Sequence, residues 1–98
     1  MTLRFYIDPA TEQPHIYGHS VVEEEVEDVL ARPMEDRAGR DGSRIAVGQT
    51  EAGRYLRVIY VPDPIPDSVF VVTAHDLGDK AQKALRRRRK SSQQRKTP

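Results

Sequence analysis

The stretch RIAVGQTEAGRYLRVIYVPDPIPDSVFVVTAH, residues 44–75, decides the fold. It holds three runs rich in β-branched and aromatic residues, Arg44 to Thr50, Tyr55 to Val61 and Ser68 to His75, and each run is bounded by turn chemistry. Glu51-Ala52-Gly53-Arg54 reads as a four-residue hairpin loop. The segment from Pro62 to Asp67 contains Pro62, Pro64 and Pro66, which cannot donate to a ladder, so it reads as a second loop. An antiparallel meander follows.

Side chains alternate faces along a strand, so the meander has two readable sides. Ile45 and Val47 are expected toward the core, with Arg44, Ala46 and Gly48 facing away. Leu56, Val58 and Tyr60 form the core set of the second strand, leaving Tyr55, Arg57, Ile59 and Val61 opposite. In the third strand both sets are apolar. Phe70, Val72 and Ala74 are assigned to the core because Thr73 and His75, on the other set, are costlier to bury. Pairing Thr50 with Tyr55, Arg57 with Thr73 and Tyr55 with His75 gathers Arg44, Tyr55, Arg57, Thr73 and His75 on one open face, floored by Ala46 and Gly48. A one-residue slip would scatter that cluster.

Outward from the meander, Leu3 to Ile7 reads as a short strand and residues 9–19 as mostly loop. Val22, Val26, Val29 and Leu30 make the apolar stripe of a helix over 22–31, closed by Pro33. Its start admits two readings: a capping box at Ser20-x-x-Glu23, or a Val21/Val26 staple around a cap at Val22. Glu23, Glu24, Glu25, Glu27 and Asp28 crowd its first turns, where the helix dipole favours negative charge. Residues 35–43, EDRAGRDGS, read as a polar loop. A second helix is expected from Asp79, with an Asp79-x-x-Gln82 box and a stripe of Leu77, Ala81, Ala84 and Leu85. The expected architecture is α+β: an antiparallel three- or four-stranded sheet, a helix in the N-terminal half and a C-terminal helix, both on one face. Residues 1–90 are expected to form a single domain and 91–98 a disordered basic tail.

The 98 residues include no cysteine, which excludes a disulfide scaffold, a thiolate zinc site and a cysteine nucleophile. No apolar run spans a membrane and no signal peptide is visible, so a soluble cytoplasmic protein is expected. The net charge of +1 conceals an asymmetry. Residues 80–98 carry nine of the 16 basic residues and no acid, leaving seven against all 15 acids on residues 1–79. A body of −8 with a tail of +9 points to a basic arm for a polyanion, or to a tail that docks on an acidic surface.

The segments His19-Ser20-Val21-Val22-Glu23-Glu24-Glu25-Val26, Arg44-Ile45-Ala46-Val47-Gly48-Gln49-Thr50, Gly53-Arg54-Tyr55-Leu56-Arg57-Val58-Ile59-Tyr60 and Val72-Thr73-Ala74-His75 resemble the BrnT branch of the RelE-type toxins. The resemblance covers about residues 3–87. It implies a RelE-like α+β fold, a ribonuclease toxin of a toxin–antitoxin pair, and neutralisation by a small cognate antitoxin. The family's arginine before its "G-x-T" strand falls on Arg44 and its hairpin arginine on Arg54. Its strand-end arginine is replaced by His75, its lysine before "H-G" by Gly18, and its cap serine by Val22.

Cleaving RNA without a metal requires a base for the 2′-hydroxyl, an acid for the leaving 5′-oxygen, and cations for the phosphorane. Histidine performs either proton transfer near neutral pH, and arginine grips phosphate oxygens as a fork. His75, Arg57, Arg44, Arg54 and Tyr55 are the expected catalytic set, with Tyr55 stacking on a base or assisting proton transfer. Lys83, Arg86, Arg87, Arg88, Arg89 and Lys90 are the expected RNA contacts. No cofactor is implied. His15 and His19 share an H-x-x-x-H spacing that suggests zinc on a helix, but Pro14 and Gly18 argue against a continuous helix and no third ligand is evident. The expected function is therefore a metal-independent endoribonuclease acting on mRNA, free or ribosome-bound. The alternative is a non-catalytic protein-interaction domain of the same fold, with a basic polyanion-binding tail.

Overall fold

A computed structural model describes residues 1–95, with side chains described through Lys90. The elements in order are β1 (Thr2–Phe5), β2 (Ile7–Asp8), β3 (Gln13–Pro14), a 3₁₀ turn (His15–His19), α1 (Glu23–Ala31), β4 (Glu35–Ala38), β5 (Arg44–Gln49), β6 (Tyr55–Pro62), β7 (Ser68–Asp76) and α2 (Asp79–Arg95). Five strands form one sheet in the order β1-β7-β6-β5-β4, and β2 pairs with β3 in a small second ribbon. β1 runs parallel to β7, and the other neighbours are antiparallel. The class is α+β, as expected.

The sheet is wider than the expected three or four strands because the polar segment 35–43 supplies β4. Met34 N–H donates to Val47 C=O at 2.8 Å and Gly39 N–H to Ser43 C=O at 2.8 Å, closing a hairpin with β5. Glu35, Asp36 and Arg37 carry no apolar alternation to read, because an edge strand is often guarded by charge. The stretch 9–19 is also more ordered than a loop, holding β3 and the 3₁₀ turn.

The helices lie on opposite faces of the sheet, not on one. Under α1 and the 3₁₀ turn sit Ile16, Val21, Val26, Val29, Ala46, Leu56, Val58, Tyr60, Val71 and Ala74, edged by Leu3, Phe5, Leu30 and Val69. Under α2 sit Val47, Leu77 and Leu85, edged by Met34, Ile45, Tyr55 and Ala81. Ala46 and Gly48 therefore belong to the α1 face, where a Cβ on Gly48 would lie 3.2 Å from Val29 Cγ1. Any side chain here would press on Val29, which would have to give by a few tenths of an ångström. Ile45 and Val47 do point into apolar surroundings, but those of α2.

Two register differences explain the reassignment. Thr50 is drawn into the turn: its N–H donates to Arg54 C=O at 2.8 Å and its Oγ1 accepts from Arg54 N–H at 3.0 Å. Gly53 takes φ of +96°, so Gln49 rather than Thr50 faces Tyr55. That single step moves Arg44, Ala46 and Gly48 to the face opposite Arg57. In β7 a bulge between the Ile59 and Tyr60 pairings switches parity, so the core takes Ala74 and Val71 rather than the continuous set Phe70/Val72/Ala74.

α1 begins at Glu23 with Val22 as extended N-cap, and Glu25 Oε1 accepts from Val22 N–H at 3.1 Å. Val21 and Val26 are both fully buried in one cluster, which selects the staple reading over the Ser20 box. At α2, Gln82 does not close a box on Asp79. Its Nε2 donates to Leu77 C=O at 2.8 Å, turning the chain from β7 into the helix. The helix continues to Arg95, into the segment expected to be disordered, and residues 96–98 of that segment lie outside the described residues. No helix among the described residues is long and apolar enough to cross a membrane.

Candidate functional site

Glu35, Val47, Arg57 and His75 stand directly opposite one another on β4, β5, β6 and β7. Directly opposed residues share a face, so these four form a row across the α2 side of the sheet, with strands about 4.8 Å apart. α2 covers the Val47 end and grips Glu35. Arg88 Nε and Nη2 donate to the two Glu35 oxygens at 2.7 and 2.9 Å, a bidentate pair that holds the Glu35 carboxyl below its usual range. At the other end, beyond the part of β7 that β1 pairs with, the His19 ring lies 5.8 Å from that of His75, edge to face.

The meander thus brings together Arg57, Tyr55, Thr73 and His75 as expected, with a different pairing. Arg57 faces His75 rather than Thr73, and Thr73 faces Ile59. Arg57 Nε and Thr73 Oγ1 are buried with no hydrogen-bond partner. Such atoms are uncommon, and a lone buried donor costs about 1–3 kcal/mol. Tyr55, two residues from Arg57 on the same face, lines a shallow groove with Met34, Leu85, Arg86, Arg89 and Lys90. The groove joins the sheet row to the basic helix.

Arg44 leaves the cluster. It sits on the α1 face, where its Nε donates to Asp36 Oδ1 at 2.8 Å and its Nη2 to Asp36 C=O at 3.1 Å. Tyr60 donates its hydroxyl to the other Asp36 oxygen at 2.5 Å, and burial, followed by that carboxylate, raises the phenol's pKa. Arg44 locks β4 to β5 and does not meet Arg57.

Arg54 is equally committed. Its Nε donates to Asp76 Oδ1 at 2.6 Å, Nη1 to Ser20 C=O at 2.7 Å and to Glu25 at 3.0 and 3.1 Å, and Nη2 to His19 C=O at 3.4 Å. The Asp76 hydrogen bond is the chief reason that its pKa rises and that Asp76's falls. Arg54 therefore ties the hairpin to the 3₁₀ turn, α1 and the end of β7.

Among the expected RNA contacts on α2, Arg88 holds Glu35, Arg89 Nη1 donates to Met34 C=O at 3.0 Å, and Arg86 reaches Gln82 at 3.5 Å. Lys83, Arg87 and Lys90 are exposed and make no ion pair among the described residues. Helical spacing gives Lys83, Arg87 and Lys90 one outer stripe.

A second row was not anticipated. Tyr6, His15, His19 and His75 follow one another at ring separations of 6.0, 5.2 and 5.8 Å. Asp8 Oδ2 lies 3.4 Å from His15 Nδ1 at its start. The backbone N–H of Ala10, and secondarily His15, hold the Asp8 carboxyl below its usual range. The H-x-x-x-H spacing marked two of these residues, and the third arrives from the far end of β7. No group of three or more His, Asp or Glu side chains among the described residues is arranged to hold a metal ion. No family model, curated protein or solved structure matches this chain.

Proposed function

We propose that this chain is a toxin-like, metal-independent endoribonuclease of the BrnT/RelE type, acting on mRNA and neutralised by a cognate antitoxin protein. The observation that carries the reading is the direct opposition of Arg57 and His75 on the sheet face that α2 flanks with cations. A phosphodiester laid along this face meets a guanidinium for its non-bridging oxygens and an imidazole for a proton. Tyr55 offers a stacking surface for a neighbouring base, and Lys83, Arg87 and Lys90 neutralise phosphates further along the strand. Arg44 and Arg54 take no part in contacting RNA in this scheme.

A second reading, a non-catalytic protein-interaction domain, draws on the same face. Ile59, Val61 and Phe70 extend the Arg57 side as a half-buried apolar strip beside Arg4, which sits 5.7 Å over the Phe70 ring and binds Asp63 at 2.8 Å. The antitoxin would occupy that strip in the first reading and the principal partner would do so in the second.

Purified protein incubated with single-stranded RNA and EDTA separates them. Cleavage that His75→Ala and Arg57→Ala abolish in soluble protein supports the nuclease, and induced expression in bacteria should then arrest growth. Intact RNA and normal growth with abundant folded protein favour the interaction domain.

A further inference from the structure

Resting on the nuclease reading, we infer that His19 is its second proton-transfer residue, the acid that protonates the leaving group, and that Arg54 is the positioning residue that holds it against His75. The sequence offers one histidine on the sheet face, whereas cleavage by 2′-hydroxyl attack needs both a base and an acid. The structure supplies a partner from the 3₁₀ turn. The His19 ring stands 5.8 Å from that of His75 at an interplanar angle of 61°. His19 is exposed, so one phosphate can reach both rings from solvent.

The hydrogen bonds divide the roles. His75 Nδ1 lies 3.2 Å from Asp76 C=O, and a carbonyl only accepts, so Nδ1 carries the proton and Nε2 is left as the acceptor. His75 is the base. Its Nε2 takes the 2′-hydroxyl proton, the 2′-oxygen forms a bond to phosphorus, and the bond from phosphorus to the 5′-oxygen breaks. The 5′-oxygen takes the proton of the His19 imidazolium, giving a 2′,3′-cyclic phosphate and a 5′-hydroxyl. Arg57, opposite His75, faces the non-bridging oxygens.

Arg54 makes the pairing of two remote segments specific. One guanidinium binds the carbonyls of His19 and Ser20 on one side and the Asp76 carboxylate, adjacent to His75, on the other. Glu25 braces the same Nη1 from α1. His15, 5.2 Å behind His19, limits the ring's swing away from the site.

The test compares two substrates: a uridylyl-adenosine dinucleotide, whose alkoxide leaving group needs an acid, and uridine 3′-(4-nitrophenyl phosphate), whose phenolate does not. The ratio of the two rates is insensitive to the fraction of protein folded. His19→Gln is expected to slow the dinucleotide by about 10²-fold or more and leave the aryl ester near the wild-type rate. His75→Ala is expected to slow both. Arg54→Lys is expected to shift the ratio in the direction of His19→Gln, through kcat rather than KM. An unchanged ratio in His19→Gln overturns the assignment of His19 while leaving the nuclease in place if His75→Ala is inactive. An unchanged ratio in Arg54→Lys overturns its positioning role. A wild-type protein that cleaves neither substrate overturns both the assignment and the reading beneath it.

Discussion

The two faces of the sheet share the strands β5, β6 and β7 and are built on opposite plans. The α1 face is closed by interlocking aliphatic side chains, with Val21, Val26, Val29, Leu56, Val58, Val71 and Ala74 all at 0% exposure. The α2 face is closed only at one end, by Leu77, Ala81 and Leu85, and the helix then continues outward on charge. Two arginines make the contrast concrete. Arg54 engages all three side-chain nitrogens, with Asp76, Glu25 and two carbonyls, whereas Arg57, three residues on, keeps a buried Nε without a partner. The α1 face ties Arg54 fully into the fold, whereas the α2 face, despite its Arg88–Glu35 pair, leaves Arg57 Nε and Thr73 Oγ1 buried without partners.

The sharpest way to break that contrast is to cut the same side chain from each face. Leu56→Ala should lower unfolding free energy in urea by about 2–5 kcal/mol, as large-to-small changes in closed cores do. Leu85→Ala should leave the sheet's unfolding midpoint much closer to wild type while trypsin cleavage within Arg86–Lys90 quickens, because it unpins α2 alone. Equal loss of stability in both would mean that α2 is as integral as α1.

The arginine pair gives the next largest effect. Arg54→Ala should cost about 2 kcal/mol, since it leaves the partly buried Glu25 carboxylate and two carbonyls without their donor. Arg57→Ala should be close to neutral or mildly stabilising in the same urea titration. Gly48→Val should follow at about 1–3 kcal/mol, the cost of overpacking against Val29. A lower melting temperature with unchanged RNA affinity would confine that damage to the α1 face.

The smallest effect concerns pH. Arg88 lowers the Glu35 pKa, so folding with α2 docked gains stability above the unfolded carboxyl's pKa near 4.5 and loses it as pH falls through the lower folded value. The gain is on the order of 1 kcal/mol or less. Amide protection factors along α2, corrected for the intrinsic exchange rate, should therefore fall below pH 4.5, and Glu35→Gln should remove that acid-dependent part.

The fold was legible wherever apolar alternation and turn residues agreed. β5, β6 and β7 lie within a residue or so of their expected bounds, and Pro33 and the Val22–Leu30 stripe marked α1. β4 escaped because Glu35-Asp36-Arg37-Ala38 has the composition of a loop, and only pairing with β5 makes it a strand. The site was half legible. Tyr55, Arg57, Thr73 and His75 share a face because a two-residue shift between β6 and β7 preserves parity, whereas the one-residue step at Thr50 removed Arg44. The bulge in β7 has no sequence mark, since Val72 is flanked by β-branched residues, Val71 and Thr73, that suit a regular strand equally well. His19 was visible only as a spacing, since its meeting with His75 depends on how the 3₁₀ turn abuts β7.

The parallel pairing of Thr2–Phe5 with Ser68–Val71 also sets an order of assembly. β1 has no sheet neighbour except β7, so the first strand of the chain waits for the last. Helix α1 and the β4–β7 hairpins can form from nearby residues, while β1 must close a loop spanning nearly the whole domain before it contributes anything. Until then Leu3 and Phe5 are uncovered and the edge of β7 is unpaired, an invitation to a neighbouring chain. Refolding of this protein should show a fast phase belonging to the meander and a slower, concentration-sensitive one belonging to its opening residues.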